Sequence, residues 1–279
     1  MSVGDDSDAA RGVPRMVDLQ ELHSVLQEYI RPQHLALAIK MAKSPDEVPP
    51  KLRHPAKDMG FQSAICQGIS IARRYGWALA LTKDDLSCPL AKVVFGFEQE
   101  LPYYTEGLAC AEMYTETEAA GAVTEAQQPK FPYGVYHAIL VAPLTRAEFE
   151  PDVVVLYGNS AQVMRLVTAA LYKRGGRITS SFSGRIDCAD IIIQTMHTQD
   201  CQVILPCYGD RIFAQTEDSE MAFTIPRPRI AEVIEGLKGT HKGGVRYPIP
   251  SFLRYQAVFP EKYMKLEELW RQGEDSAGE

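Results

Sequence analysis

Short apolar runs alternate with amphipathic segments along most of this 279-residue chain, and that alternation limits the folds it can adopt. Residues 151–157 have the length and the valine content of a buried strand. Leu22, Val25, Leu26 and Tyr29 instead repeat at the spacing of one helix face. Because such strands and helices follow one another in mixed order, the sequence predicts a mixed α/β (α+β) fold.

The length bounds the domain organisation. A chain of this size can bury a full core without disulfide bonds. Its ends, residues 1–15 and 272–279, are polar or rich in small residues, which predicts flexible tails. Residues 16–271 are predicted to form a single domain, which leaves room for two intimately packed lobes, 16–145 and 146–271.

The charge excludes several function classes. A net charge of -7 and a pI near 5.5 disfavour a general binder of nucleic acid or anionic membranes, since phosphate binding needs a basic surface. No run approaches the ~18 apolar residues of a membrane-spanning helix. The first fifteen residues lack the apolar core of a signal peptide. We therefore expect a cytoplasmic protein.

Six cysteines carry the chemistry that the sequence suggests. In a reducing cytosol they are expected to be free thiols, metal ligands or catalytic groups. Two pairs show the same order: the first cysteine lies near a predicted helix start, and the second lies just past the end of the next predicted strand. This order predicts a weak internal helix-strand repeat. The first pair is Cys66 and Cys88, the second is Cys188 and Cys207, and the remaining cysteines are Cys110 and Cys201.

The sequence also resembles a bacterial and archaeal family named domain of unknown function 169. The resemblance runs from about Leu19 to Tyr263. It implies that Cys66, Cys88, Cys188 and Cys207 are the family-type positions, whereas Cys110 and Cys201 are incidental. The recognisable pieces are 37–40, Cys66 with Gln67 and Gly68, 72–74, Cys88 with Pro89, 151–155, Gly175 with Gly176, Cys188, and 206–211, the last being the most specific.

Four thiols favour an iron-sulfur cluster, because such clusters need soft thiolate donors, usually four for a four-iron cluster. A thiol at a helix start is also eased toward thiolate by the helix dipole. Three alternatives stay open: a zinc site, a catalytic thiol with His137 or His197 as its base, and cysteines that are simply buried. The sequence has no C-x-x-C pair, which such metal sites often use.

The expected activity follows from the number of ligands. If three cysteines bind, an open iron could act on a hydroxyl or carboxylate, as in a lyase or dehydratase; if four bind, redox chemistry is favoured. Arg185, Arg211 and Asp210 are the candidate substrate-binding residues, for a small anionic or hydroxylated molecule. The competing class is a ligand-binding or redox-sensing protein without turnover. We expect a small-molecule partner and leave a homo-oligomer open.

Overall fold

The structure is a computed structural model, and it describes residues 18–246 and 259–276. The chain divides into a large unit, residues 1–247, and a C-terminal unit, residues 248–279. The tail predicted for residues 1–15 lies outside the described residues, and so does the part of the other predicted tail beyond residue 276.

Six strands of the large unit form one antiparallel sheet. Their order across the sheet is β2-β3-β1-β4-β6-β5. The strands are β1 (Leu37–Ala42), β2 (Leu79–Thr82), β3 (Ala138–Pro143), β4 (Val153–Asn159), β5 (Gln202–Ile204) and β6 (Glu220–Pro226).

Eleven α-helices lie in the described ranges, and with the sheet they confirm the predicted mixed α+β fold. A π-helical segment, Asp190–Gln194, joins α7 to α8 in one continuous helix. No helix within the described ranges is long and apolar enough to cross a membrane. The helices are α1 (Leu19–Tyr29), α2 (Ile65–Tyr75), α3 (Pro89–Val94), α4 (Pro102–Thr105), α5 (Glu118–Gln127), α6 (Ser160–Leu171), α7 (Asp187–Ala189), α8 (Thr195–Thr198), α9 (Tyr208–Phe213), α10 (Ile230–Lys242) and α11 (Glu261–Ser276), the last belonging to the C-terminal unit.

The sheet has an internal symmetry that follows the repeat. Strands β1, β2 and β3 take the central, edge and middle positions of one half, and β4, β5 and β6 take the same positions in the other. The halves meet where β1 pairs with β4, with Ile39 opposite Val153. The helix α2 lies between β1 and β2, whereas α6 and the α7–α8 helix lie between β4 and β5. The strands of the two predicted lobes are thus joined in a single sheet.

Each face of the sheet carries its own core, because successive strand residues point to opposite sides. On β1, Ile39 packs into the core beneath α2, α3 and the α7–α8 helix, whereas Ala38 packs into the core beneath α1, α6 and α10. Asp18 begins α1 by accepting hydrogen bonds from the backbone of Gln20 and Glu21. The cysteine pairs belong to elements on the first of these faces.

The segment after α4 does not form the helix that its sequence pattern predicts. The sequence predicts a helix over residues 106–120, but the chain turns there and α5 begins only at Glu118. Gly107 adopts a φ of +86°, and a Cβ on it would lie 2.1 Å from the carbonyl oxygen of Glu118. Glycine permits this turn, because a side chain at residue 107 would clash with the backbone. Thr117 then caps α5 by accepting a hydrogen bond from the backbone of Ala120.

Candidate cysteine site

All four family-type cysteines lie at the starts of helices. Cys66 is the second residue of α2, and Cys188 is the second residue of α7. Cys88 and Cys207 follow strand segments and are the N-cap residues of α3 and α9. The two halves therefore place their cysteines at matching positions of the same helix-strand-helix order, as the sequence predicts.

Helices of one half pack against helices of the other half. Helix α2 of the first half packs against α9 of the second, and α3 packs against α7. The Cys66 sulfur lies 3.9 Å from the carbonyl oxygen of Gly209, two residues beyond Cys207. Cys88 packs beside Cys66 and also against the core that contains Cys188. The crossing thus brings a cysteine pair from each half into one region of the interior.

The thiols influence one another. Burial raises the pKa of Cys188 well above its ordinary value, and the other three family-type thiols raise it further, as does Asp187. Burial likewise raises the pKa of Cys66. Burial and Asp187 raise the pKa of Cys207 to about 12. These thiols are therefore protonated at neutral pH without a metal, and metal binding would have to release their protons.

A pair of buried acids lies beside Cys207. The Cys207 thiol donates a 3.0 Å hydrogen bond to Asp187 Oδ1, and Asp210 is buried next to Asp187. Burial, together with Asp187, raises the pKa of Asp210 to about 8, and burial raises the pKa of Asp187 as well. Because two carboxylates in one dry place repel each other, the pair retains a proton near neutrality.

Tyr157 of β4 lies near the acid pair and Cys66. Burial raises its pKa, and Asp210 and Asp187 add to that effect. Its hydroxyl has no hydrogen-bond partner among the described residues. The guanidinium of Arg73 stacks over the ring, 4.1 Å from its centroid, and pairs with Glu220 through hydrogen bonds of 2.6 and 3.0 Å.

The predicted substrate-binding residues have different surroundings. Asp210 faces the interior beside Asp187. Arg185 is buried, where its guanidinium pairs with Glu125 and donates to the carbonyl oxygen of Ala109 at 2.8 Å. Arg211 is partly exposed and donates to the carbonyl oxygen of Glu217 at 2.9 Å. The structure thus brings Asp210 to the cysteines and holds both arginines in protein contacts.

The other candidate residues lie in different places. Cys201 belongs to the core on the opposite face of the sheet. Cys110 is fully buried near Tyr114. Burial raises the pKa of Tyr114, and the nearby Cys207 thiol raises it further. His197 packs edge-on against Phe131, and His137 lines a surface cavity. Among residues 18–246 and 259–276, no group of three or more histidine, cysteine, aspartate or glutamate side chains is arranged to hold a metal ion.

Sequence reasoning missed two members of the region, Asp187 and Tyr157. Asp187 is predicted to cap the helix, but Ile186 holds that position and Asp187 is its first residue. An aspartate directly before one cysteine, together with Asp210 three residues after another, is a signal that could have found the acid pair. Tyr157 is hidden in a valine-rich strand, where only its phenol group distinguishes it from core.

The fold and the site together define a class: a mixed α+β protein whose two pseudo-repeated halves cross to bring four cysteines and two acids together. The chain belongs to the family domain of unknown function 169 (DUF169), described as uncharacterised ArCR, whose profile matches residues 25–236. It is similar to uncharacterized protein MJ0308 of Methanocaldococcus jannaschii, with 27% identity over 227 residues that cover 79% of this chain and 94% of that protein. No solved structure matches it significantly.

Proposed function

We propose that this chain is an iron-sulfur protein whose cluster, of the four-iron four-sulfur type, is bound by Cys66, Cys88, Cys188 and Cys207. The observation that carries the proposal is the meeting of one cysteine pair from each half in a single buried region. Unrelated buried cysteines have no reason to occupy matching positions in two halves and then to meet across them.

The donor set fits such a cluster. Thiolates are its usual ligands, and four of them suffice for four irons. Cluster ligands bind different iron atoms, so their sulfurs stand farther apart than the four ligands that surround one zinc ion at about 2.3 Å. A looser group of thiols is therefore compatible with a cluster. Burial would keep water from the sulfurs, which is one way a protein tunes a cluster.

We propose further that the protein is an enzyme acting on a small anionic or hydroxylated molecule, as a lyase or an oxidoreductase. Asp187 and Asp210 lie beside Cys207 and would hydrogen-bond a substrate that reached the cysteines, and Tyr157 offers an unpartnered hydroxyl in the same region. When bound, the cluster would supply either an open iron as a Lewis acid or an electron. Cys88 is the most exposed of the four cysteines, so it is the ligand most easily left out.

Anaerobic purification tests this proposal. The full chain from iron-replete cells is expected to be brown, with a broad thiolate-to-iron absorption and about four iron and four sulfide per chain. Colourless, iron-free protein would overturn the proposal. Zinc in place of iron would instead support the alternative, a non-catalytic protein with zinc-binding or redox-sensing cysteines.

A further inference from the structure

A polar cavity lies beside the middle of the α7–α8 helix, lined by the end of α5, the loop at 181–183 and the π-helical segment. Its volume is about 260 Å³. This is just below the range of about 300–1,000 Å³ usual for drug-sized ligands, so the cavity suits a smaller molecule. π-Helical segments are frequent at functional sites, and this one places Asp190 and Gln194 in the lining.

The buried carboxyl group of Asp190 indicates that the cavity binds a ligand. Its side chain is 4% exposed, and Oδ2 has no hydrogen-bond partner among the described residues. A buried carboxyl oxygen without a partner costs free energy, and native proteins rarely leave one unsatisfied. The described lining contains no lysine, arginine or histidine. No side chain of that lining therefore supplies a matching positive charge, which a bound molecule could bring.

The rest of the lining indicates the other end of that molecule. Hydroxyl and amide groups from Thr124, Ser181, Ser183 and Gln194 line the cavity beside Asp190. Such groups donate to and accept from a ligand hydroxyl equally well. One acid with several neutral polar groups fits an amine that also carries a hydroxyl group.

Hydrogen bonds and an ion pair within the protein hold the loop at 181–183, which forms one wall of the cavity. Gln128 donates a 2.7 Å hydrogen bond to Ser183 Oγ, which also accepts from the backbone of Arg185. The buried pair of Arg185 with Glu125 then ties this loop to α5. A preorganised cavity lowers the entropy cost of binding.

We propose that this cavity binds a small aliphatic amino alcohol, with the ammonium group on Asp190 and the hydroxyl group on the neutral polar lining. The proposal does not depend on the cysteines, because none of them lines the cavity. It also assigns this cavity a cationic ligand, unlike the small anionic or hydroxylated substrate proposed for the cysteine site.

Calorimetric titration of the full chain with 4-aminobutan-1-ol, against butane-1,4-diol as the neutral analogue, tests the assignment. Saturable binding of the amine and at least tenfold weaker binding of the diol are expected. Asp190→Asn keeps the shape of the side chain and should weaken amine binding at least tenfold. Val123→Trp, at a lining residue that is 59% exposed, should block the cavity with little effect on folding.

Asp84→Asn, at an exposed acid outside the cavity, is the matched control and should bind like the wild type. Equal binding of amine and diol, no binding at millimolar amine, or unchanged binding by Asp190→Asn or Val123→Trp would overturn the proposal. Iron content of the same samples separates the two proposals, since Asp190→Asn should leave it unchanged.

Discussion

The two halves of the sheet share their cysteine positions but differ in the residues around them. Cys66 follows Ile65, whereas Cys188 follows Asp187. Three residues after Cys88 the first half has Ala91, whereas the second half has Asp210 after Cys207.

Ile65 and Ala91 are buried in the apolar core, so one side of the site is apolar and the other is acidic. The cysteines therefore belong to the repeat, and the acids do not. A shared task, such as ligation, suits residues present in both halves. A task performed at one side, such as substrate binding, suits residues present in only one.

Two buried ion pairs also connect the halves. Arg73 of the first half reaches Glu220 of the second, and Arg185 of the second half reaches Glu125 of the first. All four side chains are at most 6% exposed. Removing one partner of such a pair leaves a buried charge without compensation, which is far more costly than losing an exposed pair.

The largest expected effect is therefore from Arg73→Met and Arg185→Met, each of which should lower the free energy of unfolding by about 3–5 kcal/mol. Urea titration measures the loss. Lys51→Met, which removes an exposed pair with Glu148, is the control and should leave the stability nearly unchanged. Losses as small as that of the control would show that these pairs do not hold the halves together.

The Arg73 pair should also give an acid-side pH dependence. Burial alone would raise the pKa of Glu220, but the hydrogen bonds from Arg73 outweigh it and the pKa lies below its ordinary value of about 4.5. Because the folded pKa is depressed, the stabilisation is complete above about pH 4.5 and is lost as the pH falls through the folded pKa. The stability difference between wild type and Glu220→Gln should thus shrink below pH 4.5. A difference that stays constant from pH 3.5 to 7 would contradict the pairing.

Cysteines outside the repeat should matter less. Cys201→Ser buries a hydroxyl group in an apolar core and should cost about 1–3 kcal/mol of stability without changing the iron content. Cys110→Ser is the stricter comparison, because Cys110 lies near Tyr114 and so near the site. Loss of iron in either variant, measured per folded chain, would show that the repeat does not select the ligands.

The smallest effect on iron is expected from the acids. Asp210→Asn keeps the shape of the side chain and should retain the wild-type iron content, whereas Cys207→Ser should lose it, because Asp210 belongs to only one half. Iron analysis of the two variants side by side makes the test. If Asp210→Asn lost iron as completely as Cys207→Ser, the acid would be a ligand and the distinction between the halves would fail.

Much of the fold could be predicted because its strands and helices depend on local sequence patterns. The valine run at 151–157 corresponds to β4, and Cys88 and Cys207 follow strand segments as expected. The predicted helix over 106–120 was wrong, since its periodicity does not reveal the backbone contact at Gly107. The position of each cysteine on its element was also predictable, because helix starts and strand ends are local features.

The meeting of the cysteines was harder to predict. It depends on α2 packing against α9, between residues far apart in sequence. The pairing of Arg73 with Glu220, which fixes α2, is equally non-local. Tyr157 of β4 and Asp187 of α7 could not be recognised as neighbours because they are far apart in sequence and meet only in the tertiary structure.

The iron content of two double variants distinguishes one cysteine site shared by the two halves from a separate site in each half. One variant replaces Cys66 and Cys88 with serine, and the other replaces Cys188 and Cys207. A shared cluster predicts that each double variant, purified without oxygen as a folded chain, loses essentially all of its iron and sulfide. If each variant kept about half of the wild-type iron, each half would bind its own metal, and the account of a joint site would be contradicted.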